Sequence, residues 1–198
     1  MRFRSRAMLV LALAVPLFGC GLSRGELSGQ VFIVTKGGQN FKLGLVTVEG
    51  FSAEKMGPYG KRMKEENDIR QKSLAELKAR IDASKDPAEV GQFFEELKKL
   101  SSVLNRDGLG EHLITELPPA DFTAKTDADG RFTMALPRQG RFALAAQASR
   151  EAGGTTERYY WLIWVSLDGN ARREIMLSND NLVGMGSEDA YLKIKMES

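Results

Sequence analysis

The residue types that most often do nucleophilic and acid–base chemistry are scarce in this chain, which has one cysteine, Cys20, and one histidine, His112. A zinc site of the His-Glu-x-x-His type needs two histidines, so the pair Glu111-His112 cannot supply one. The sequence also lacks the Gly-x-x-x-x-Gly-Lys loop that binds phosphates. We therefore predict no enzyme activity, no metal site and no cofactor, and we interpret His112 as a loop histidine beside a helix end.

Two oxygen-rich stretches allow more than one interpretation. Asp127 and Asp129, followed by Gly130, fit either calcium ligands or a tight turn between two strands. The distal glutamate of a calcium loop is missing, which favours the turn. The stretch 179–181, Asn-Asp-Asn, offers further oxygen ligands or side chains that bond to nearby backbone. We expect both stretches to shape the backbone.

An aromatic stretch at 159–164 contains two tyrosines and both tryptophans of the chain. Strand alternation places Tyr160 and Trp164 on one face and Tyr159 and Trp161 on the other. Such residues either fill a core or present flat rings to a ligand such as a sugar. We expect core packing and retain Trp161 and Trp164 as candidate ligand-binding residues.

Cys20 ends an apolar run, residues 8–18, that follows three arginines near the N-terminus. The run has about eleven residues, whereas a helix that spans a membrane needs roughly 20. A basic start, a short apolar run and a small residue before the cleavage point are typical of an exported precursor. The sequence Leu-Phe-Gly-Cys at its end resembles the lipobox of bacterial lipoproteins. This resemblance implies a signal peptide over 1–19, a lipid such as palmitate on Cys20 and, because Gly21 is not acidic, an outer-membrane location.

Removal of this signal peptide changes the charge of the chain. The full chain has 28 lysines and arginines against 26 acidic residues, a formal charge of +2. Arg2, Arg4 and Arg6 lie in the signal peptide, so the mature chain keeps 25 basic against 26 acidic residues. No basic excess remains that would favour nucleic acid as a partner. Lipidation of Cys20 also leaves no thiol for a disulfide or a redox reaction.

Short apolar and β-branched segments on both sides of a polar middle predict a mainly β fold. Residues 27–35 and 41–49 predict two strands joined by a turn, with Phe41, Leu43 and Leu45 facing inward. Short strands separated by regular turns are typical of a β-sandwich. The strands predicted after the polar middle are 122–126, 131–136, 141–148, 158–167, 173–177 and 191–196.

The polar middle, about residues 53–106, predicts an antiparallel hairpin of two helices. Its second half repeats apolar residues with the spacing of a helix that buries one face. Asp86 fits the N-cap of that helix, Pro87 its first position, and Glu89 the capping-box position three residues after the cap. The charged faces of the hairpin are a candidate docking surface. The predicted apolar stripe is Val90, Phe93, Phe94, Leu97, Leu100 and Leu104.

Three segments resemble the carboxypeptidase regulatory-like domain. They are the first strand at 29–35, the Thr-Asp-x-x-Gly-x-Phe segment at 126–132, and the Leu-Pro-x-x-Gly-x-Phe segment at 136–142. The resemblance implies a transthyretin-like β-sandwich, here interrupted by the antiparallel two-helix hairpin. The family domain accompanies metallocarboxypeptidases but does not contain their active site, so the resemblance implies no catalytic residue.

These observations predict a signal peptide at 1–19, a lipidated tether at 20–26, and a β-sandwich domain with a helical insertion at 27–198. The expected protein is a non-catalytic lipoprotein of the bacterial cell envelope, held to membrane lipid through Cys20. It would bind or assemble with another envelope protein or a glycan. The alternative is a carbohydrate-binding module that uses exposed aromatic residues.

Overall fold

The computed structural model describes residues 23–102 and 106–183, which form two β-sheets and three helices. No helix among these residues is both long and apolar enough to cross a membrane. The strands are β1 (Arg24–Val34), β2 (Asn40–Lys42), β3 (Thr47–Ser52), β4 (Phe122–Lys125), β5 (Arg131–Pro137), β6 (Arg141–Ala152), β7 (Thr155–Ser166) and β8 (Arg172–Leu177). The helices are α1 (Ala53–Ala83), α2 (Pro87–Ser102) and α3 (Arg106–Thr115).

The first sheet is built around β1. This strand pairs antiparallel with β5 and parallel with β8, and its last three residues pair antiparallel with β2. Beyond the end of β8, the side chain of Asn179 makes the hydrogen bonds to β1 that a neighbouring strand would make. Its Oδ1 accepts the Val34 N–H at 2.7 Å, and its Nδ2 donates to the Val34 carbonyl at 3.1 Å. An amide side chain has the donor and the acceptor that this backbone requires.

The second sheet has the order β4-β3-β6-β7, and all its neighbours are antiparallel. The β6–β7 pairing is the longest, and its hairpin closes through Gly153 and Gly154, which have φ angles of +59° and +80°. Glycine adopts such angles at low steric cost. The two sheets enclose an apolar core that includes Leu27, Leu144 and Trp161, all 0 % exposed. The predicted β-sandwich with a helical insertion is confirmed.

Helix α1 begins directly after β3, and a carboxylate from β4's start holds that beginning in place. Oδ2 of Asp121 accepts the Ser52 N–H at 2.9 Å, and Oδ1 accepts a hydrogen bond from Lys55. These bonds hold the pKa of Asp121 below its ordinary value, with Lys55 as the larger cause. A carboxylate at a helix N-terminus also interacts favourably with the helix dipole. The first part of α1 is thereby fixed against the second sheet.

The helical insertion contains a third helix, which corrects the predicted two-helix hairpin. Helices α1 and α2 do form a hairpin, in which the Arg80 guanidinium lies 4.1 Å from the centre of the Phe93 ring. However, the insertion continues to Thr115, because α3 runs through Gly108 and Gly110. These glycines would end a helix by propensity alone, but helices tolerate glycine where packing requires a close approach.

The predicted strand at 41–49 is wrong in its middle, because β2 and β3 belong to different sheets. The chain crosses between them through a turn in which Leu45 has a φ of +61°. Of the three residues predicted to face inward, Leu43 packs against the core, but Phe41 and Leu45 are 43 % and 75 % exposed. The turn reverses the alternation after Leu43, so that Val46 and Val48 are buried instead.

The start of α2 matches its prediction in part. Oδ1 of Asp86 accepts the Ala88 N–H at 2.9 Å, as an N-cap does. Glu89 instead accepts a hydrogen bond from the Ser84 hydroxyl at 2.9 Å. The bond that a capping box makes to the N-cap backbone is therefore made to the side chain of Ser84. Phe94 is 53 % exposed, because one neighbouring helix cannot cover so broad a stripe. The side chain of Leu100, and Leu104 as a whole, lie outside the described part.

Candidate functional site

The outer face of the second sheet is covered over only part of its length. Phe51 and Tyr160 on this face are buried beneath α1 and α3. Thr47, Gln147 and Arg158 belong to the same face, but they lie beyond the helices and are exposed. A sheet face that is apolar under a helix and polar beyond it marks where the covering layer ends.

A groove of about 930 Å³ lies at this boundary, and we call it the α3 groove. Its floor is the outer face of β6 and β7, one wall is α3, and the opposite wall is the chain segment from β2 to β3. The volume falls within the range of small-ligand pockets. Its lining includes Leu45, Glu49, Glu111, Ile114, Gln147 and Arg158.

Three of the four charged side chains that line the α3 groove are unpaired among the described residues. Glu49, Glu111 and Arg158 make no ion pair or side-chain hydrogen bond with any of those residues, and neither does Gln147. Lys42 at the groove's edge differs, since its Nζ lies 2.6 Å from Oδ1 of Asp129. The unpaired groups therefore keep their full hydrogen-bonding capacity for a ligand.

The pairing register shows why Glu49 and Arg158 do not neutralise one another. Glu49 pairs with Ala145 of β6, and Arg158 pairs with Ser149 of the same strand. Four residues along β6 correspond to about 13 Å, and the two strand spacings between β3 and β7 add about 10 Å across the sheet. The two backbone positions are therefore roughly 16 Å apart, too far for an ion pair and suited to an elongated ligand.

A strained and exposed leucine stands on the rim of the groove. Leu45 has a φ of +61° and a side chain that is 75 % exposed. The buried Thr126 holds this turn, because its Oγ1 accepts the Val46 N–H and donates to the Leu43 carbonyl, each at 2.8 Å. The Leu45 N–H donates to the Thr126 carbonyl at 3.1 Å. A left-handed leucine costs about 1–2 kcal/mol, and such strain concentrates at binding sites.

The α3 wall depends on one glycine. A Cβ atom added at Gly110 would lie 2.4 Å from Cδ2 of Tyr160, which is closer than real Cβ contacts come. Glycine therefore lets α3 approach β7, and Tyr160 becomes a floor residue that is only 5 % exposed. The hydroxyl of Tyr59 donates to the Leu113 carbonyl at 2.8 Å and ties α3 to α1.

Trp161, one of the two candidate ligand-binding residues, lies inside the sandwich. It is 0 % exposed, and its indole N–H donates to the Ser178 carbonyl at 2.9 Å. A ring enclosed on all sides cannot stack on a sugar. The structure therefore corrects this candidate: Trp161 is a core residue, because its face of β7 points towards the first sheet.

Trp164 lies on the opposite face of β7 and is partly buried. The guanidinium of Arg141 sits 4.8 Å from the centre of its ring, in cation–π geometry. A cleft of about 400 Å³ adjoins this pair, and Asp168 and Arg173, which are 3.1 Å apart, line it. The predicted face assignment of the four aromatics is confirmed, whereas ligand binding by Trp164 stays a prediction.

His112 lies in the last turn of α3, which corrects its predicted loop position. Its Nε2 is 3.1 Å from Oε2 of Glu66 on α1. Nearby, the Arg62 guanidinium of α1 donates to Oε2 of Glu116 at 2.7 Å and to the backbone carbonyl of Glu116 at 2.9 Å. The histidine thus belongs to a polar seam that joins α1 to α3, away from the α3 groove's lining.

Both oxygen-rich stretches bond to backbone, as predicted. Oδ1 of Asp127 accepts the N–H groups of Asp129 and Arg131 at 2.8 and 2.9 Å, and Gly130 has a φ of +73°. The Lys42 ammonium lowers the pKa of Asp129. Oδ1 of Asn181 accepts the backbone N–H at position 178. Within the described ranges, no group of three or more His, Cys, Asp or Glu side chains is placed to hold a metal ion.

The sequence-based predictions did not include a serine pattern that lies just before β1. Residues 21–25 read Gly-Leu-Ser-Arg-Gly, which has the spacing of a nucleophile turn in hydrolases. That turn joins a strand to a helix, whereas Ser23 directly precedes β1 and its carbonyl accepts the Arg138 N–H at 2.9 Å. The predicted signal peptide, Cys20 and the predicted strand at 191–196 lie outside the described residues.

Comparison with known proteins identifies no family. No family model matches the chain, and no curated protein matches it. A solved structure from Pseudomonas aeruginosa, of a protein with a proposed carbohydrate-binding role, is similar over 80 % of this chain and 90 % of that chain. The identity is 16 % and the TM-score is 0.38. The resemblance to the carboxypeptidase regulatory-like family stays a prediction.

Proposed function

We propose that this protein is a lipid-anchored, non-catalytic binding protein of the bacterial cell envelope, and that its ligand occupies the α3 groove. The observation that carries the proposal is the groove itself, a ligand-sized space lined by Glu49, Glu111 and Arg158, which have no partners among the described residues. Unpaired charges on a folded surface contribute little to stability. Their convergence on one groove therefore supports a role in binding.

The lining of the groove supports binding over catalysis. It contains neither histidine nor cysteine, and His112 contacts Glu66 on another surface. Covalent catalysis by a serine or cysteine needs a base within hydrogen-bond reach of the nucleophile. Glu49 and Arg158 stand at the far ends of the groove, where they suit recognition of an elongated molecule.

The predicted lipid on Cys20 would hold the start of β1 at a membrane surface. β1 begins at Arg24, so the predicted tether of 20–26 shortens to the few residues between Cys20 and that strand. Several acyl chains on one cysteine hold a protein firmly, because each buried CH₂ adds about 0.8 kcal/mol. The sandwich would thus lie directly above the lipid headgroups.

Metabolic labelling with a clickable palmitate analogue tests the anchor. The wild-type chain should incorporate the label and sediment with membranes, whereas Cys20→Ser should lose both properties. Gly21→Ser serves as a matched control that leaves the cysteine in place. Label retained by the Cys20→Ser chain would contradict the anchor.

Site-specific photocrosslinking in intact cells tests the groove. A photoreactive amino acid at Gln147, on the groove floor, should give a discrete adduct. The same amino acid at Thr133, which is exposed on the outer face of the first sheet, should give none. Equal adducts at both positions, or none at Gln147, would refute the groove as the binding site.

A glycan is the second candidate ligand, and the observation that favours it is the cleft beside Trp164 and Arg141. A sugar that entered there would displace the guanidinium from the indole ring. Tryptophan fluorescence should then change on titration with the glycan, and Trp164→Phe should abolish the change. Because Trp161 is enclosed, a signal that survives Trp164→Phe would exclude this cleft.

A further inference from the structure

We infer that the ligand of the α3 groove is a short peptide in extended conformation, with a basic residue at one end, an acidic residue at the other and an apolar residue between them. This inference rests on the proposed function above. It follows from three features of the groove: the separation of its opposite charges, the apolar residues on its rim, and the burial of its aromatic floor residue.

The charges set the length and the ends of the ligand. Glu49 and Arg158 lie at opposite ends of the groove, with backbone positions roughly 16 Å apart by strand geometry. An extended peptide advances about 3.3–3.6 Å per residue, so about five residues span that distance. Arg158 presents a planar fork that matches a carboxylate, and Glu49 matches an ammonium or guanidinium group.

The rim supplies apolar contacts on the two walls that flank the span. Leu45 projects its side chain into solvent from a strained backbone that Thr126 holds in place, and Ile114 stands on the facing wall. A strained leucine whose side chain is mostly exposed gains from an apolar partner outside its own fold. An apolar peptide side chain held between the two walls would supply that partner.

The floor favours a peptide over a glycan. Sugar rings stack on open aromatic faces, but Tyr160 is only 5 % exposed beneath α3. The exposed amide of Gln147 has both a donor and an acceptor, which match the N–H and C=O of a peptide unit. Charged ends, apolar rims and an amide floor together match peptide chemistry.

Isothermal titration of the mature lipidated protein in detergent tests the inference. The probe is the blocked pentapeptide acetyl-Lys-Ala-Leu-Ala-Glu-amide. It should bind at least tenfold more tightly than acetyl-Gln-Ala-Leu-Ala-Gln-amide, which lacks both charges, and than acetyl-Lys-Ala-Ser-Ala-Glu-amide, which lacks the apolar residue. Equal affinity for the three peptides, or no binding of any, would overturn the inference.

Three protein variants locate the contacts. Arg158→Gln should weaken binding of the charged probe at least fivefold, and Arg131→Gln, an exposed arginine on the outer face of the first sheet, should not. Leu45→Gly should weaken binding while its thermal midpoint stays equal or rises, since glycine accepts the positive φ. Affinities unchanged in both groove variants would place the peptide elsewhere and overturn the assignment.

Titration with a glycan distinguishes failure of this inference from failure of the proposed function. If chitotriose binds and Arg158→Gln weakens it while the peptide probe does not bind, the groove remains the ligand site and the peptide inference is wrong. If photocrosslinking at Gln147 yields no adduct in cells, the proposed function itself fails. Binding of the peptide together with an adduct at Gln147 would support both.

Discussion

The two faces of β7 belong to one strand but differ in how completely their side chains are buried. On the inner face, Tyr159, Trp161 and Val165 are at most 5 % exposed and Ile163 is partly buried, because this row packs against the first sheet. On the outer face, Tyr160 is buried under α3, whereas Arg158 at the end of the same row is exposed. Alternation decides which face a side chain takes, and the layer above decides whether it is buried.

This difference assigns stability mainly to the inner face of β7 and the candidate functional site to the outer face. The inner face is continuous, so each of its residues contributes to one core. The outer face changes from apolar to polar where α3 ends, and the candidate site lies at that change. The following variants test the contrast, beginning with the largest expected loss of stability.

Trp161→Ala should have the largest effect, because it empties a fully buried site and leaves the Ser178 carbonyl without its donor. Truncation of a buried tryptophan costs about 3–5 kcal/mol of unfolding free energy. Urea unfolding followed by circular dichroism measures this loss. Trp164→Ala, on the partly covered face, should lose clearly less, and equal losses would contradict the contrast between the faces.

Gly110→Ala should come next, since its Cβ would collide with the Tyr160 ring at 2.4 Å. Overpacking of this kind costs about 1–3 kcal/mol. Gly91 of α2 is a matched control, because a Cβ there meets nothing within 4 Å. Gly91→Ala should gain up to about 1 kcal/mol from helix propensity. Thermal unfolding distinguishes them, and a stable Gly110→Ala would show that α3 has room to move.

Asp121→Asn should weaken the start of α1, which covers the outer face. The variant keeps an oxygen for the Ser52 N–H but loses the ion pair with Lys55, whose partly exposed groups make it worth about 0.5–1 kcal/mol. Because the pKa of Asp121 is lowered in the folded protein, its contribution is present above the pKa of an unfolded aspartate. It is lost as the pH falls through the folded value.

Acid titration of stability therefore checks the same variant. The free-energy difference between the wild type and Asp121→Asn should be constant near neutral pH and disappear in strong acid. A difference that persisted there would show that the carboxylate charge is not the cause. The single substitution Asp68→Asn, on an exposed pair with Lys64, provides a comparison with an ion pair that holds no helix end.

The double variant Glu49→Gln, Arg158→Gln should have the smallest effect on stability, within about 0.5 kcal/mol of the wild type. Neither side chain has a partner to lose among the described residues. Chemical denaturation measures this, and a loss above 1.5 kcal/mol would show that the two charges support the fold. The same variant should lose ligand binding, so it distinguishes the role of the outer face in binding from its role in stability.

Local sequence patterns were sufficient for much of the fold. Alternation in β7 placed Tyr159 and Trp161 opposite Tyr160 and Trp164, and the Asp127 turn and the Asp86 cap are local motifs that their own side chains complete. The break at Leu45 was not predicted, because its positive φ depends on hydrogen bonds that Leu43 and Val46 make with Thr126, which is distant in sequence.

The candidate site was largely beyond sequence reasoning. Glu49, Glu111 and Arg158 lie on a strand, a helix and another strand, and no common motif contains them. The predictions centred on Trp161 and Trp164 because aromatic residues are the conspicuous local signal. The glycine at Gly44-Leu45 was a local hint of a turn in the predicted strand.

By itself, the sequence determined the periodicities, the turns and the helix start, because these depend on neighbours a few residues apart. It also contains the lipobox-like end at Cys20 that supports the proposed anchor. Only the tertiary structure decided which residues are buried and which converge on the α3 groove. The physical reason is that burial and convergence depend on layers packed from distant segments, such as α3 on β7 through Gly110.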